Sequence, residues 1–176
     1  SGLNDKINLL LQKIDYENTE KLDQITKEIR ELITGAKMPL EMEEEILESY
    51  AILGAESKEK RADELLKKPS SEIFVAVRSS ATTEDLAEAS FAGQQETFLN
   101  VRGRELLLSF IKKCFASLFT SRATYYRHKK GFKHESSSLA VIVQKMVNSD
   151  KSGVVFTKDP SQKKDDVIIE AAFGLG

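Results

Sequence analysis

An α+β fold is predicted by three observations on this chain. Apolar residues recur at helical spacing through the first third. Strand-length apolar runs rich in β-branched residues follow from residue 73 onward, and Gly, Pro, Asn and Asp mark the joints. The order they dictate is helices first, then a mainly antiparallel sheet with one long helix inserted.

Leu3, Ile7, Leu10, Leu11 and Ile14 form the apolar stripe of a first helix, and Leu22, Ile25, Ile29, Leu32 and Ile33 that of a second. Thr19 is the expected N-cap of the second helix, and Gly35 follows its end. Pro39 opens a third, because its missing N–H is one that the first turn leaves unpaired anyway. Met42, Ile46, Leu47 and Tyr50 give that helix an inner face, and Gly54 stops it. Glu41, Glu43, Glu44 and Glu45 lie in its first turns, where carboxylates complement the helix dipole; a solvated helix start accounts for them better than a metal site. Residues 57–68 are nearly all charged, with Ala62, Leu65 and Leu66 on one side, which suits a short surface helix or a connector. Pro69, Ser70 and Ser71 then punctuate the chain.

The character changes at residues 73–77, a continuous apolar run that reads as a strand buried on both faces. Residues 96–101 form a second strand, ended by Gly103. A long amphipathic helix follows, with Leu106, Leu107, Phe110, Ile111, Cys114, Phe115 and Leu118 at core spacing, and it continues through residues 121–130. Residues 139–147 and 153–157 read as an antiparallel hairpin joined by the polar residues 148–152. A further strand lies at 167–171. By content the chain divides into a helical part, 1–70, and a sheet part, 71–176.

A chain of 176 residues, 40% hydrophobic and 31% charged, can bury a sizeable core and is not disordered by composition. A formal net charge of −2 gives no general attraction to nucleic acid or anionic membranes. A single cysteine, Cys114, rules out an internal disulfide and suits a reducing compartment; it reads as a core residue of its helix. No signal peptide or membrane-spanning run is evident, so the cytoplasm is the expected location. The ends read as those of a piece of a longer protein, truncated on both sides.

The chemistry concentrates in residues 78–97. Arg78 follows a buried strand, so its guanidinium fork stands on a rigid platform suited to phosphate oxygens. Ser79, Ser80 and Thr82 add hydroxyl and backbone donors around an anion. Ala89, Ser90, Ala92 and Gly93 are small enough for the backbone to approach a polyphosphate closely. Spacing alone leaves open a plain surface loop in which Arg78 pairs with Glu84 or Asp85. Arg122 and Arg127, with Tyr125 and Tyr126, suit a cleft or docking face and equally an ordinary helix surface. His128, among Arg127, Lys129 and Lys130, reads as solvated basic surface.

The segment VAVRSSATTEDLAEASFAGQQETFLNV resembles the signature of the N-terminal ATP-binding domain of the phosphoenolpyruvate synthase and pyruvate phosphate dikinase family. FASLFTSRATYYR, AVIVQKMV, SGVVFTKDP and IEAAFGLG are similar to successive blocks of that family, in the same order. The blocks cover residues 73–176. The resemblance implies an ATP-grasp-like nucleotide-binding domain, here incomplete. It puts the family's phosphate-contacting arginine on Arg78, the glycine of the phosphate-covering loop on Gly93, and a nucleotide-contacting threonine on Thr97. Gln144 matches the residue that borders the adenine, its carboxamide offering both donor and acceptor. The resemblance also implies that the backbone of Met146 and Val147 supplies the remaining base contacts.

The family's glycine-rich opening with its phosphate-reaching lysine, and the carboxylate that holds Mg²⁺, have no counterpart in these residues. Neither His128 nor His134 stands in the family's phosphohistidine context. The implied cofactors are ATP and Mg²⁺. The implied partners are a phosphohistidine domain and a pyruvate-binding barrel of the same full-length chain, with neither nucleic acid nor membrane. The implied reaction converts ATP, pyruvate and water to phosphoenolpyruvate, AMP and phosphate; these residues alone are expected to be inactive. The rivals are rifampin phosphotransferase, which shares the ATP-binding blocks, and a non-catalytic nucleotide-binding module.

Overall fold

The computed structural model describes residues 2–56, 73–81, 85–86, 89–90, 96–134, 137–158 and 166–175. In chain order the elements are α1 (Gly2–Leu11), α2 (Thr19–Gly35), α3 (Leu40–Glu56), β1 (Val75–Ala81), β2 (Asp85–Leu86) and β3 (Ala89–Ser90). They are followed by β4 (Thr97–Val101), α4 (Arg104–Ser117), α5 (Ser121–Lys129), β5 (Leu139–Lys145), β6 (Lys151–Phe156) and β7 (Ile168–Phe173). The α+β class is as predicted, and every described strand pairing is antiparallel. Compactness divides the chain after Lys145, into units Ser1–Lys145 and Met146–Gly176. The change from helical to sheet content near residue 70 falls inside the first unit.

In the first unit β1 is the middle strand of a three-stranded sheet ordered β4-β1-β5. Strand alternation sends Val75 and Val77 to one face, where both are fully buried. α4 covers that face with Leu107, Ile111 and Cys114, and α3 closes the cluster with Tyr50. The Tyr50 hydroxyl donates to the Ile73 carbonyl at 2.7 Å and accepts from the Gly103 N–H at 3.2 Å, so a buried phenol fastens strand, helix start and α3 together. Gly103 has φ 92, a left-handed conformation that glycine adopts without a Cβ penalty. A second cluster, centred on Ile7, Leu10 and Ile29, joins α1 to α2 and takes in Phe119.

Local details depart from expectation for identifiable reasons. The N-cap of α2 is Asn18 rather than Thr19, its side-chain oxygen accepting from the Lys21 N–H at 3.0 Å. α3 continues past Gly54 to Glu56. β1 does not stop at residue 77, because its pairing with β5 continues through Ser79, Ser80 and Ala81; Arg78 is therefore mid-strand. The expected long helix is two helices. The Arg30 guanidinium donates to the Phe119 carbonyl at 2.9 Å, taking the acceptor that a continuous helix would offer to residue 123. Thr120 turns extended and its hydroxyl accepts from the Ala123 N–H, capping α5.

The second unit corrects the expected pairing of residues 139–147 with 153–157. β5 is taken up by β1, and β6 pairs instead with β7, from Lys151 opposite Phe173 to Phe156 opposite Ile168. Gly153 permits this: a Cβ there would stand 2.6 Å from the Glu170 carbonyl oxygen, closer than packed atoms allow. Gly174, at φ 78, donates to the Asp150 carbonyl at 2.9 Å, and the Ser149 hydroxyl donates to the Gly174 carbonyl, closing the end of the ribbon.

Candidate functional site

The face of the β4-β1-β5 sheet opposite the core is open, and it gathers three of the residues singled out in the sequence. Arg78 follows the buried Val77 by one residue, so alternation turns it away from the core, and it is exposed. Thr97 lies directly across from it on β4, and Ile142 directly across on β5. Gln144 pairs with Ala76 and so shares that face. Arg78 Nη1 donates to Gln144 Oε1 at 3.2 Å. No carboxylate pairs with Arg78 among the described residues. The alternative pairing with Glu84, or with the side chain of Asp85, lies outside them.

The platform beneath is stiff. The Ser79 hydroxyl donates to the Glu96 carbonyl at 3.2 Å, stitching β1 to the approach of β4. The Cys114 thiol points at the Val77 and Glu96 carbonyls at 3.7 and 3.9 Å. Burial first, then the charge of Glu96, pushes that thiol up to about 11, so it stays protonated and inert. Cys114 is a core residue, as expected.

Gly93 lies outside the described residues. Within the stretch from Arg78 to Thr97, a backbone pairing of β2 with β3 is described, Asp85 opposite Ser90 and Leu86 opposite Ala89. Met146 and Val147 belong to the second unit, where the Val147 carbonyl accepts from the Ser149 N–H at 3.0 Å. The sequence reading missed two apolar residues on the open face, Leu99 and Ile142, which are 54% and 48% exposed. Period-two alternation against Phe98 and Val143 was the signal for both. Ile142 lies directly across from Arg78 on this face.

A second cluster of polar groups lies around α5 and belongs to the interior. Arg127 is 1% exposed, against the expectation of a cleft or helix surface. Its Nε donates to His134 Nδ1 at 3.1 Å, its Nη2 approaches Thr124 Oγ1 at 3.5 Å, and its guanidinium lies 5.6 Å from the Phe119 ring centre. Since guanidinium only donates, His134 Nδ1 is the acceptor and Nε2 carries the proton, donating to the Tyr16 hydroxyl at 2.8 Å. His128 is exposed yet stacks on Tyr16, ring centres 3.6 Å apart and planes 3° from parallel. Burial, then Arg127, then His128 lower His134 to about 4. Burial pulls Arg127 down to about 10. Arg122 and Tyr125 stay exposed along an open cleft shared with Tyr16 and Asp23.

Residues 1–176 match the family described as pyruvate phosphate dikinase, AMP/ATP-binding domain. A probable phosphoenolpyruvate synthase of Archaeoglobus fulgidus is 52% identical over 176 residues, which are 100% of this chain and 22% of that protein. The probable phosphoenolpyruvate synthase of Methanocaldococcus jannaschii is 47% identical over 177 residues, 100% of this chain and 14% of that protein. The phosphoenolpyruvate synthase of Pyrococcus furiosus is 45% identical over 175 residues, 99% of this chain and 20% of that protein. The chain thus spans about a fifth or less of these relatives. No described helix is long and apolar enough to cross a membrane. The match over residues 1–176 makes the chain a member of the pyruvate phosphate dikinase AMP/ATP-binding domain family.

Proposed function

We propose that the open sheet face binds ATP in a phosphoenolpyruvate synthase, with Arg78 on the phosphates, Thr97 beside them and Gln144 toward the adenine. The observation that carries this reading is the state of Arg78. It stands mid-strand on a rigid sheet, lacks a carboxylate partner among the described residues, and gives one hydrogen bond to an uncharged amide. A guanidinium has five N–H donors, and among the described residues one is engaged, which leaves the others for phosphate oxygens. Phosphoryl transfer asks the protein chiefly for positioning and charge neutralisation, which a fixed cation supplies.

Gly93 covers the phosphates in this reading, the backbone of Met146 and Val147 completes the base contacts, and the domain is ATP-grasp-like. The whole protein is a cytoplasmic pyruvate, water dikinase: it passes a phosphoryl group from ATP through a phosphohistidine on another domain to pyruvate held in a barrel, releasing AMP and phosphate. We assign no nucleophile or general base to these residues. Mg²⁺ belongs to the same reading and would help neutralise phosphate charge. Among the described residues no three His, Cys, Asp or Glu side chains stand together, so none is assigned to the ion and no step is derived through it.

The test is Arg78→Ala in the complete polypeptide, followed by ATP-dependent phosphorylation of its histidine. Loss of labelling with an unchanged melting curve is expected; labelling at near wild-type rates would overturn the assignment. The 176 residues alone are expected to bind ATP weakly. Calorimetry giving a micromolar Kd, about −8 kcal/mol, would contradict that.

A further inference from the structure

We propose that Gln144 is a positioning residue for Arg78, holding the guanidinium ready for phosphate in addition to any contact its carboxamide makes with a base. This rests on the reading of Arg78 as the phosphate-binding group. Arg78 has nearer neighbours across the ladder, Thr97 on β4 and Ile142 on β5. It reaches instead along the diagonal to Gln144, whose Oε1 accepts from Nη1 at 3.2 Å. Diagonal neighbours on one face of an antiparallel pair are about 7–8 Å apart at the backbone, within reach of long side chains. The position opposite Gln144 is Ala76, which puts only a methyl group on this face. A larger side chain there would stand in the guanidinium's path.

The bond has two consequences. An exposed arginine on a strand loses much rotamer freedom when it engages a ligand, and a partner that confines it beforehand removes part of that cost. A single carboxamide does so while leaving the remaining N–H groups for phosphate and adding no negative charge to compete with it. A glutamate there would neutralise the cation. The bond also fixes the carboxamide itself. Because Arg78 only donates, the Gln144 oxygen must face it, and the NH₂ group is what the carboxamide turns toward an acceptor on the ligand. Phosphate grip and base reading therefore share one side chain.

Binding of inorganic triphosphate, which has no base, separates this role from direct base recognition. In the complete polypeptide, Gln144→Ala is expected to weaken triphosphate binding roughly three- to ten-fold, the scale of one newly mobile long side chain. The loss is expected to vanish in an Arg78→Ala background, as it must if Gln144 acts through Arg78. Gln144→Asn keeps the amide but withdraws it by one methylene, and is expected to behave like Gln144→Ala. Unchanged triphosphate binding in Gln144→Ala, or an undiminished loss in the double variant, would overturn the proposal. Should Arg78→Ala alone leave triphosphate binding intact, the phosphate reading of Arg78 falls as well, which tells the two failures apart.

Discussion

Arg78 and Arg127 both lack a carboxylate partner among the described residues, and they live in opposite circumstances. Arg127 is sealed on the inner face of α5, its Nε donating to His134, its Nη2 toward Thr124 and its guanidinium near the Phe119 ring. Arg78 is exposed on a strand whose other face is the core, with one bond to an amide. The difference teaches how the fold closes in one cation and leaves another open to solvent. A buried charge must find its partners within the fold, whereas an exposed charge on a rigid platform keeps donors that water, or a ligand, can take.

The largest effect expected is functional and falls on Arg78. Arg78→Ala should reduce ATP affinity or turnover about a hundred-fold or more, the scale of removing one preorganised donor from developing charge. Its stability should change by less than about 0.5 kcal/mol, as for exposed positions generally. Arg127→Ala should do the reverse, lowering stability by about 2–4 kcal/mol in denaturant unfolding through the cavity it leaves, with ATP affinity of the folded protein unchanged. If Arg127→Ala instead lost ATP binding at full stability, the comparison would break.

A finer test replaces Arg127 by Met, which fills similar space without charge. The loss should be under about 1.5 kcal/mol, because an apolar side chain of similar volume has no charge to desolvate. The pKa of His134, followed by NMR, should rise from about 4, since Arg127 is the second cause of its depression after burial. A melting loss as large as that of the alanine variant would show that the hydrogen bonds, not the volume, matter.

The last effect concerns pH. His134 has a lower affinity for protons in the folded protein, about 4, than its ordinary 6.5. Between those values the unfolded chain binds more protons, so stability rises with pH there. The contribution is fully present above about pH 6.5 and is lost as pH falls toward 4. A His134→Gln variant should flatten that part of the stability profile, and an unchanged slope would exclude His134 as its source.

Much of the fold was legible because it is local. The stripes in α1 and α2 follow from periodicity, and apolar continuity finds the strand holding Val75 and Val77, though not as one buried on both faces, since Phe74 is 48% exposed. The break between α4 and α5 was not, because residues 118–123 carry no helix breaker; it takes Arg30, from α2, to claim the Phe119 carbonyl. The partner of β6 was equally hidden, since a short polar connection favours a hairpin with β5 and only the Gly153 approach to Glu170 reveals the actual pairing. Arg127 looked like surface for the same reason: its burial depends on Tyr16 and Phe119 arriving from elsewhere in the chain.

By itself, the sequence determined the α+β class, the helices of the first third, and the choice of Arg78, Thr97 and Gln144 as residues of interest. These rest on short-range patterns and ordered family blocks, both of which survive in one dimension. The tertiary structure decided which face each residue occupies, and so which arginine is buried and which is exposed. Strand register does this: extending β1 through Ala81 set Arg78 on the open face and put Gln144 within reach of it, while α5 carried Arg127 inward. A side chain's charge is written in the chain, but whether that charge is already satisfied depends on partners that only the packed structure brings to it.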